Sequence, residues 1–205
     1  CGTNVNRLLV EQTSFISCKT SSSKGGAIYF YSTSNGQCVL SKICSFSCNL
    51  SYSGSNWGMC AYIYATNNIN YKNHVNDSSV IHSLTKNIDT LFALDIYYGN
   101  VLCPSVNLSN NQCNRYPALR CYITGSSGSD TCCVSYSSFV NNAADGSYGW
   151  VCVYIRNSIS TASQSIVACN LINNKIVSPA NGIIDSGANL FIRNSCILGN
   201  AIGKT

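Results

Sequence analysis

The chain has 205 residues, room for one or two globular domains or a single solenoid. Charged residues make up only 9 %, against roughly 25 % in an ordinary soluble protein, whereas Ser and Asn together number 58. The net charge of +5 is scattered without a basic run, which argues against nucleic acid as a partner. The 45 % hydrophobic content argues against disorder, and no apolar stretch is long enough to span a bilayer.

Along the chain, two patterns recur in step. The first is a large apolar residue followed three positions later by Asn or Cys. It runs Phe15 with Cys18, Phe46 with Asn49, Leu84 with Asn87, Leu108 with Asn111, Phe139 with Asn142, Leu171 with Asn174 and Ile197 with Asn200. The second is a Tyr between apolar flanks: Tyr29 in Ala27-Ile28-Tyr29-Phe30-Tyr31, then Tyr62, Tyr97, Tyr122 and Tyr154. The repeat averages about 30 residues, which marks a stacked array. Alternation about each Tyr predicts a strand with its apolar flanks inward and the Tyr outward. Further strands are expected at 37–40, 69–71, 131–135, 165–168 and 190–193, where β-branched and aromatic residues cluster. Thr33-Ser34-Asn35-Gly36 and Gly125-Ser126-Ser127-Gly128 read as turns between them. No helical periodicity is sustained. Short strands and turns at this period predict an all-β parallel β-helix of about 7 irregular rungs. A propeller blade is longer, at about 40 to 50 residues. With no initiator Met or signal sequence, residues 1–205 read as one β-helix segment of a longer chain, any membrane anchor lying outside it.

Fourteen Cys without paired Cys-x-x-Cys spacing point away from a metal site and toward an oxidising compartment with several disulfides. The alternative is free thiols packed as small apolar residues inside successive coils. Asn49-Leu50-Ser51, Asn76-Asp77-Ser78 and Asn107-Leu108-Ser109 are candidate N-glycosylation sites; Asn76 has the most loop-like surroundings.

Ser14-Phe15-Ile16-Ser17-Cys18 followed by Gly25-Gly26-Ala27-Ile28-Tyr29 resembles the paired Phe-x-x-Asn and Gly-Gly-Ala-Ile motifs of polymorphic outer-membrane proteins. It is closer still to the Cys-rich version among trichomonad surface proteins. The Gly-Gly half is altered to Trp57-Gly58-Met59-Cys60 and Tyr148-Gly149-Trp150-Val151 in later repeats. The resemblance implies a right-handed parallel β-helix displayed outside the cell and associated with adhesion.

The ladder Tyr29, Tyr62, Tyr97, Tyr122 and Tyr154, widened by Tyr31, Tyr64 and Tyr52, is the candidate binding surface. Exposed aromatics stack on sugar rings and anchor protein interfaces, but they also stack on one another and stabilise the rod. Arg120, Arg156 and Arg193 fall near equivalent positions and are expected to form a mild basic edge. A polysaccharide lyase or glycoside hydrolase is the alternative, since many β-helices act on polysaccharides. Glycoside hydrolysis needs two carboxylates within about 5 to 9.5 Å. Asp95 and Asp185 are expected three rungs apart, too far to share a sugar. Asp89, Asp95 and Lys86 are the nearest approach to a lyase cluster. The expectation is therefore a non-catalytic extracellular adhesion module or fibre-forming scaffold without cofactor or metal. Its partner would be a host or matrix glycan, a surface protein or further copies of itself.

Overall fold

A computed structural model describes residues 5–21, 24–51, 56–85, 90–123, 130–145, 151–157, 163–177, 182–187 and 189–203. Every strand pairing within it is parallel, and the chain winds as a β-helix. Seven passes build the first sheet from Asn6–Glu11, Gly36–Ser41, Lys72–Asn76, Asn100–Pro104, Asp130–Ser135, Ser163–Val167 and Asn189–Arg193. Seven more build the second from Ser14–Ile16, Cys44–Phe46, Ser78–Ile81, Val106–Ser109, Ser138–Val140, Asn170–Ile172 and Cys196–Leu198. A third sheet stacks Ile28–Tyr31, Ala61–Tyr64, Leu94–Tyr97, Leu119–Ile123, Val153–Asn157 and Ile184–Ser186. Short two-residue strands such as Gln112–Cys113 and Ala143–Ala144 close the remaining side. At about 4.8 Å per rung the rod is roughly 30 Å long. Four of the five additional strands expected from sequence are present within a residue or two at their ends; the segment 69–71 instead leads into Lys72–Asn76.

Each rung turns between the first and second sheets through one left-handed residue: Gln12, Lys42, Asp77, Ser105, Tyr136, Ala168 or Asn194, with φ from 47° to 56°. Left-handed backbone costs a non-glycine residue about 1–2 kcal/mol. Stacking offsets it, because the corner N–H of each of the first six is held by the next rung. Lys42 donates to the Asn76 carbonyl at 3.1 Å, and Tyr136 to the Val167 carbonyl at 2.9 Å. The Gly-Gly half of the first repeat has a comparable reason. Gly25 has φ +65°, and a Cβ on Gly26 would lie 2.0 Å from the Met59 carbonyl oxygen. The second glycine therefore answers to backbone approach between rungs.

Inside, residues in register form apolar columns. One runs Phe15, Ser45, Val80, Leu108, Phe139, Leu171 and Ile197. This register corrects two expected anchors. The second rung offers Ser45 and Cys48 to the interior, so Phe46 and Asn49 are one residue out. The third rung offers Val80 and Ser83, so the anchor is not Leu84; Asn87 lies outside the described residues. A one-residue slip turns a strand side chain to the other face. Phe46 is accordingly exposed, stacked on His82, while Ser45 is buried.

The true corner column is Cys18, Cys48, Ser83, Asn111, Asn142, Asn174 and Asn200. Asn142 Oδ1 accepts from the backbone and side-chain N–H groups of Asn111, both at 3.1 Å. Asn142 Nδ2 donates to Asn174 Oδ1 at 3.0 Å and back to the Leu108 carbonyl at 2.8 Å. The same bonds repeat from Asn174 to Asn200.

The expected disulfides are not formed among the described side chains, where each of twelve cysteines is a free thiol. Most take inward positions as small apolar side chains, for example Cys38, Cys60, Cys103, Cys121 and Cys152.

Candidate functional site

The aromatic residues gather on the outer face of the third sheet, in two columns. Strand alternation makes both, because residues two apart on a strand share a face. The first column reads Tyr29, Tyr62, Asp95, Arg120, Tyr154 and Asp185. The second reads Tyr31, Tyr64, Tyr97, Tyr122 and Arg156. The single ladder expected from Tyr29 to Tyr154 is therefore corrected. Tyr97 and Tyr122 stand two residues further along their strands than Tyr29, Tyr62 and Tyr154. The signal was present in Ala61-Tyr62-Ile63-Tyr64, Leu94-Asp95-Ile96-Tyr97 and Leu119-Arg120-Cys121-Tyr122. Aligned on their inward residues, these segments bring Asp95 beside Arg120 and Tyr97 beside Tyr122.

The first column is sealed at its middle. Tyr62 is 3 % exposed and Asp95 is fully buried. Arg120 grips Asp95 with two hydrogen bonds, Nε to Oδ1 at 2.7 Å and Nη2 to Oδ2 at 2.6 Å. Its guanidinium lies 4.4–4.6 Å from the ring centres of Tyr97, Phe92 and Trp57. A planar guanidinium suits this place: it binds a carboxylate edge-on while its faces lie against rings. Burial pushes the Asp95 carboxyl up, and the Arg120 charge pulls it back. Burial likewise pushes Tyr62 and Tyr97 up, followed by the Asp95 charge. Lys24 lies over Tyr62, 4.7 Å from its ring centre. Trp57, Phe92 and Lys24 come from outside the five Tyr strands, so no strand pattern pointed to them.

The second column stays open. Tyr31 is 50 % exposed and contacts Tyr64, ring centres 4.8 Å apart. Tyr64 meets Tyr98 edge-on at 5.3 Å, Tyr98 meets Tyr122 at 5.0 Å, and Arg156 lies 5.5 Å over Tyr122. Tyr29, 54 % exposed, stacks beside Tyr31 at 6.4 Å. The result is a continuous strip of rings crossing four rungs and ending in an exposed guanidinium. Tyr52 lies outside the described residues.

The expected basic edge does not form. Arg120 is committed to Asp95, Arg156 ends the second column, and Arg193 belongs to the first sheet. Asp95 and Asp185 share a column three rungs apart, about 14 Å by strand spacing. Asp89 and Lys86 lie outside the described residues. Among those residues, no group of His, Cys, Asp and Glu is placed to hold a metal ion. Of the glycosylation candidates, Asn107 is exposed on the second sheet. Asn49 and Asn76 are half-buried, and Asn76 donates to the Ser41 hydroxyl at 3.0 Å.

A second surface escaped the sequence reading. The outer face of the second sheet carries the column Ile16, Phe46, Ile81, Ser109, Val140, Ile172 and Leu198. Beside it stand Ser14, Cys44, Ser79, Asn107, Ser138, Asn170 and Cys196. None of these residues is charged. Ile16, Phe46 and Leu198 are exposed, as are the Cys44 and Cys196 thiols.

No family model, curated protein or solved structure matches this chain.

Proposed function

We propose that this β-helix is a non-catalytic binding rod that serves adhesion outside the cell, holding an extended glycan along the aromatic strip of its third sheet. The strip itself carries the reading: Tyr31, Tyr64, Tyr98 and Tyr122 stay in ring contact while remaining partly open to solvent. Tyr rings are amphipathic, so they pack on the apolar face of a sugar while the hydroxyl stays hydrated. The rigid rods beneath fix the rings in advance, which lowers the ordering cost of binding. Asp95, the carboxylate nearest the strip, is occupied in holding Arg120, which supports binding rather than hydrolysis. The sparse charge, the Asn-x-Ser triplets and the resemblance to surface β-helices support the extracellular assignment.

The test is a glycan-array screen of wild type against a Tyr31→Ala/Tyr64→Ala/Tyr122→Ala variant. The expected result is binding by wild type and its loss in the variant with an unchanged circular dichroism spectrum. No binding by wild type, or binding that survives in the variant, overturns the reading.

The second sheet favours a second reading, lateral self-association into fibres. Its outer face is uncharged and partly apolar along the rod, so two copies of a cationic chain can meet there without like-charge repulsion. Sedimentation analysis of wild type and Phe46→Ser/Ile81→Ser decides it: a concentration-dependent assembly that the variant abolishes is the expected outcome. A wild type that stays monomeric removes this reading.

A further inference from the structure

The corner column changes chemistry along the rod. The amides of Asn111, Asn142 and Asn174 each bond both neighbouring rungs. In the first two rungs the same position holds Cys18 and Cys48. Register places them directly opposite: Lys19 pairs with Asn49, and the Asn49 N–H donates to the Cys18 carbonyl at 2.9 Å. Cys48 Sγ even copies the amide's contact to the preceding rung, donating to the Phe15 carbonyl at 3.5 Å. That bond corresponds to the one from Asn142 Nδ2 to the Leu108 carbonyl. A thiol is a weaker donor than an amide and a poor acceptor. Non-covalent stitching at this corner is therefore weaker in the first two rungs than from Asn111 onward.

From this register we infer that Cys18 and Cys48 are an oxidation site, closing into a disulfide that clips the first rung to the second. Opposed residues on neighbouring parallel strands lie about 4.8 Å apart at Cα, inside the 4.4–6.8 Å range that a disulfide spans. Both thiols bond backbone carbonyls of the same strand: Cys18 Sγ donates to the Ile16 carbonyl at 3.9 Å, and Cys48 Sγ to the Phe15 carbonyl at 3.5 Å. Cys18 is partly exposed and Cys48 is buried, which sets the order of events. The Cys18 thiolate attacks one sulfur of a small-molecule disulfide such as oxidised glutathione and expels one glutathione thiol. The Cys48 thiolate then attacks the Cys18 sulfur and expels the second. Two protein thiols lose two electrons, and one glutathione disulfide becomes two thiols that carry the protons. Burial, and then the neighbouring Cys48, pushes the Cys18 thiol up, so closure accelerates as pH rises above neutrality. Cys60, buried close by, is the competing partner. Cys44 faces outward in register with Ser14 and cannot reach Cys18.

The experiment treats the full chain with oxidised glutathione at pH 7 and pH 9, blocks remaining thiols and maps tryptic peptides by mass spectrometry. The expected product joins Leu8–Lys19 to Ile43–Lys72. It persists in Cys44→Ser and Cys60→Ala and vanishes in Cys18→Ser and Cys48→Ser. Oxidised wild type should melt roughly 5–15 °C above reduced wild type, with no such difference in Cys18→Ser. Because the melting comparison sets each protein against its own reduced form, a less stable variant does not obscure it. A link from Cys18 to Cys44 or Cys60, or Cys18 left alkylated after oxidation at pH 9, overturns the inference.

Discussion

Two columns tie neighbouring rungs together, by opposite means. At the corner, Asn111, Asn142, Asn174 and Asn200 repeat one residue and one set of bonds. On the third sheet the column through Tyr62, Asp95, Arg120 and Tyr154 changes residue type at every step, and the contacts from Arg120 to Asp95 and three rings are not repeated in the next rung. Repetition spreads stability evenly, because each rung only has to match the one beside it. The irregular column concentrates it, and sets the rings of an exposed strip beside a buried charge pair.

Removing one partner of that pair should have the largest effect. Arg120→Met strands the Asp95 carboxylate in the interior and should cost about 3–5 kcal/mol in urea denaturation. The double variant Asp95→Leu/Arg120→Met should recover most of it, since a packed apolar pair avoids the desolvation penalty. If the double is as unstable as the single, the pair is not what concentrates stability in this column.

Breaking the repeated column should cost less. Asn142→Ala leaves the Leu108 carbonyl and the Asn111 N–H, both in the preceding rung, without their side-chain partner, for about 2–3 kcal/mol. A loss as large as that of Arg120→Met would erase the distinction between the columns.

The interior thiols provide a pH test. Burial pushes Cys38, Cys60 and Cys113 up to about 12 from an ordinary value of 9.0. A raised folded value means that the unfolded chain loses these protons first. Their contribution is whole below pH 9 and disappears as pH rises toward 12. Each thiol should lower stability by up to about 1.4 kcal/mol per pH unit in that window. Denaturant midpoints should fall from pH 9 upward, and more gently in Cys60→Ala.

The smallest effect is a gain. Ser83 interrupts the amide column, and its buried hydroxyl has no hydrogen-bond partner. Ser83→Asn should extend the column toward Cys48 and add about 1 kcal/mol to the unfolding free energy. A neutral or negative result would show that the corner there is shaped for a small side chain.

How much of this was legible follows from particular residues. The repeat, the strands around each Tyr and the Asn positions from Asn111 onward were readable, because apolar spacing there agrees with one register. Phe46-Ser47-Cys48-Asn49 misled because a large residue and an Asn stood one place late, with Ser45 and Cys48 filling the interior. Tyr97 misled in the same way: aligning on the ring rather than on Leu94 and Ile96 hid the place of Asp95. The apolar outer column from Ile16 to Leu198 went unseen because its members alternate with the interior residues that drew the pattern.

The sequence by itself determined a stacked parallel β-helix of about 30-residue rungs, because burial must alternate along every strand and recur at every turn of the chain. Only the tertiary structure decided which residues share a column. Register is fixed by backbone hydrogen bonds between rungs whose lengths vary, and those bonds, not residue identity, brought Arg120 over Asp95, exposed Phe46 and set Cys18 against Cys48.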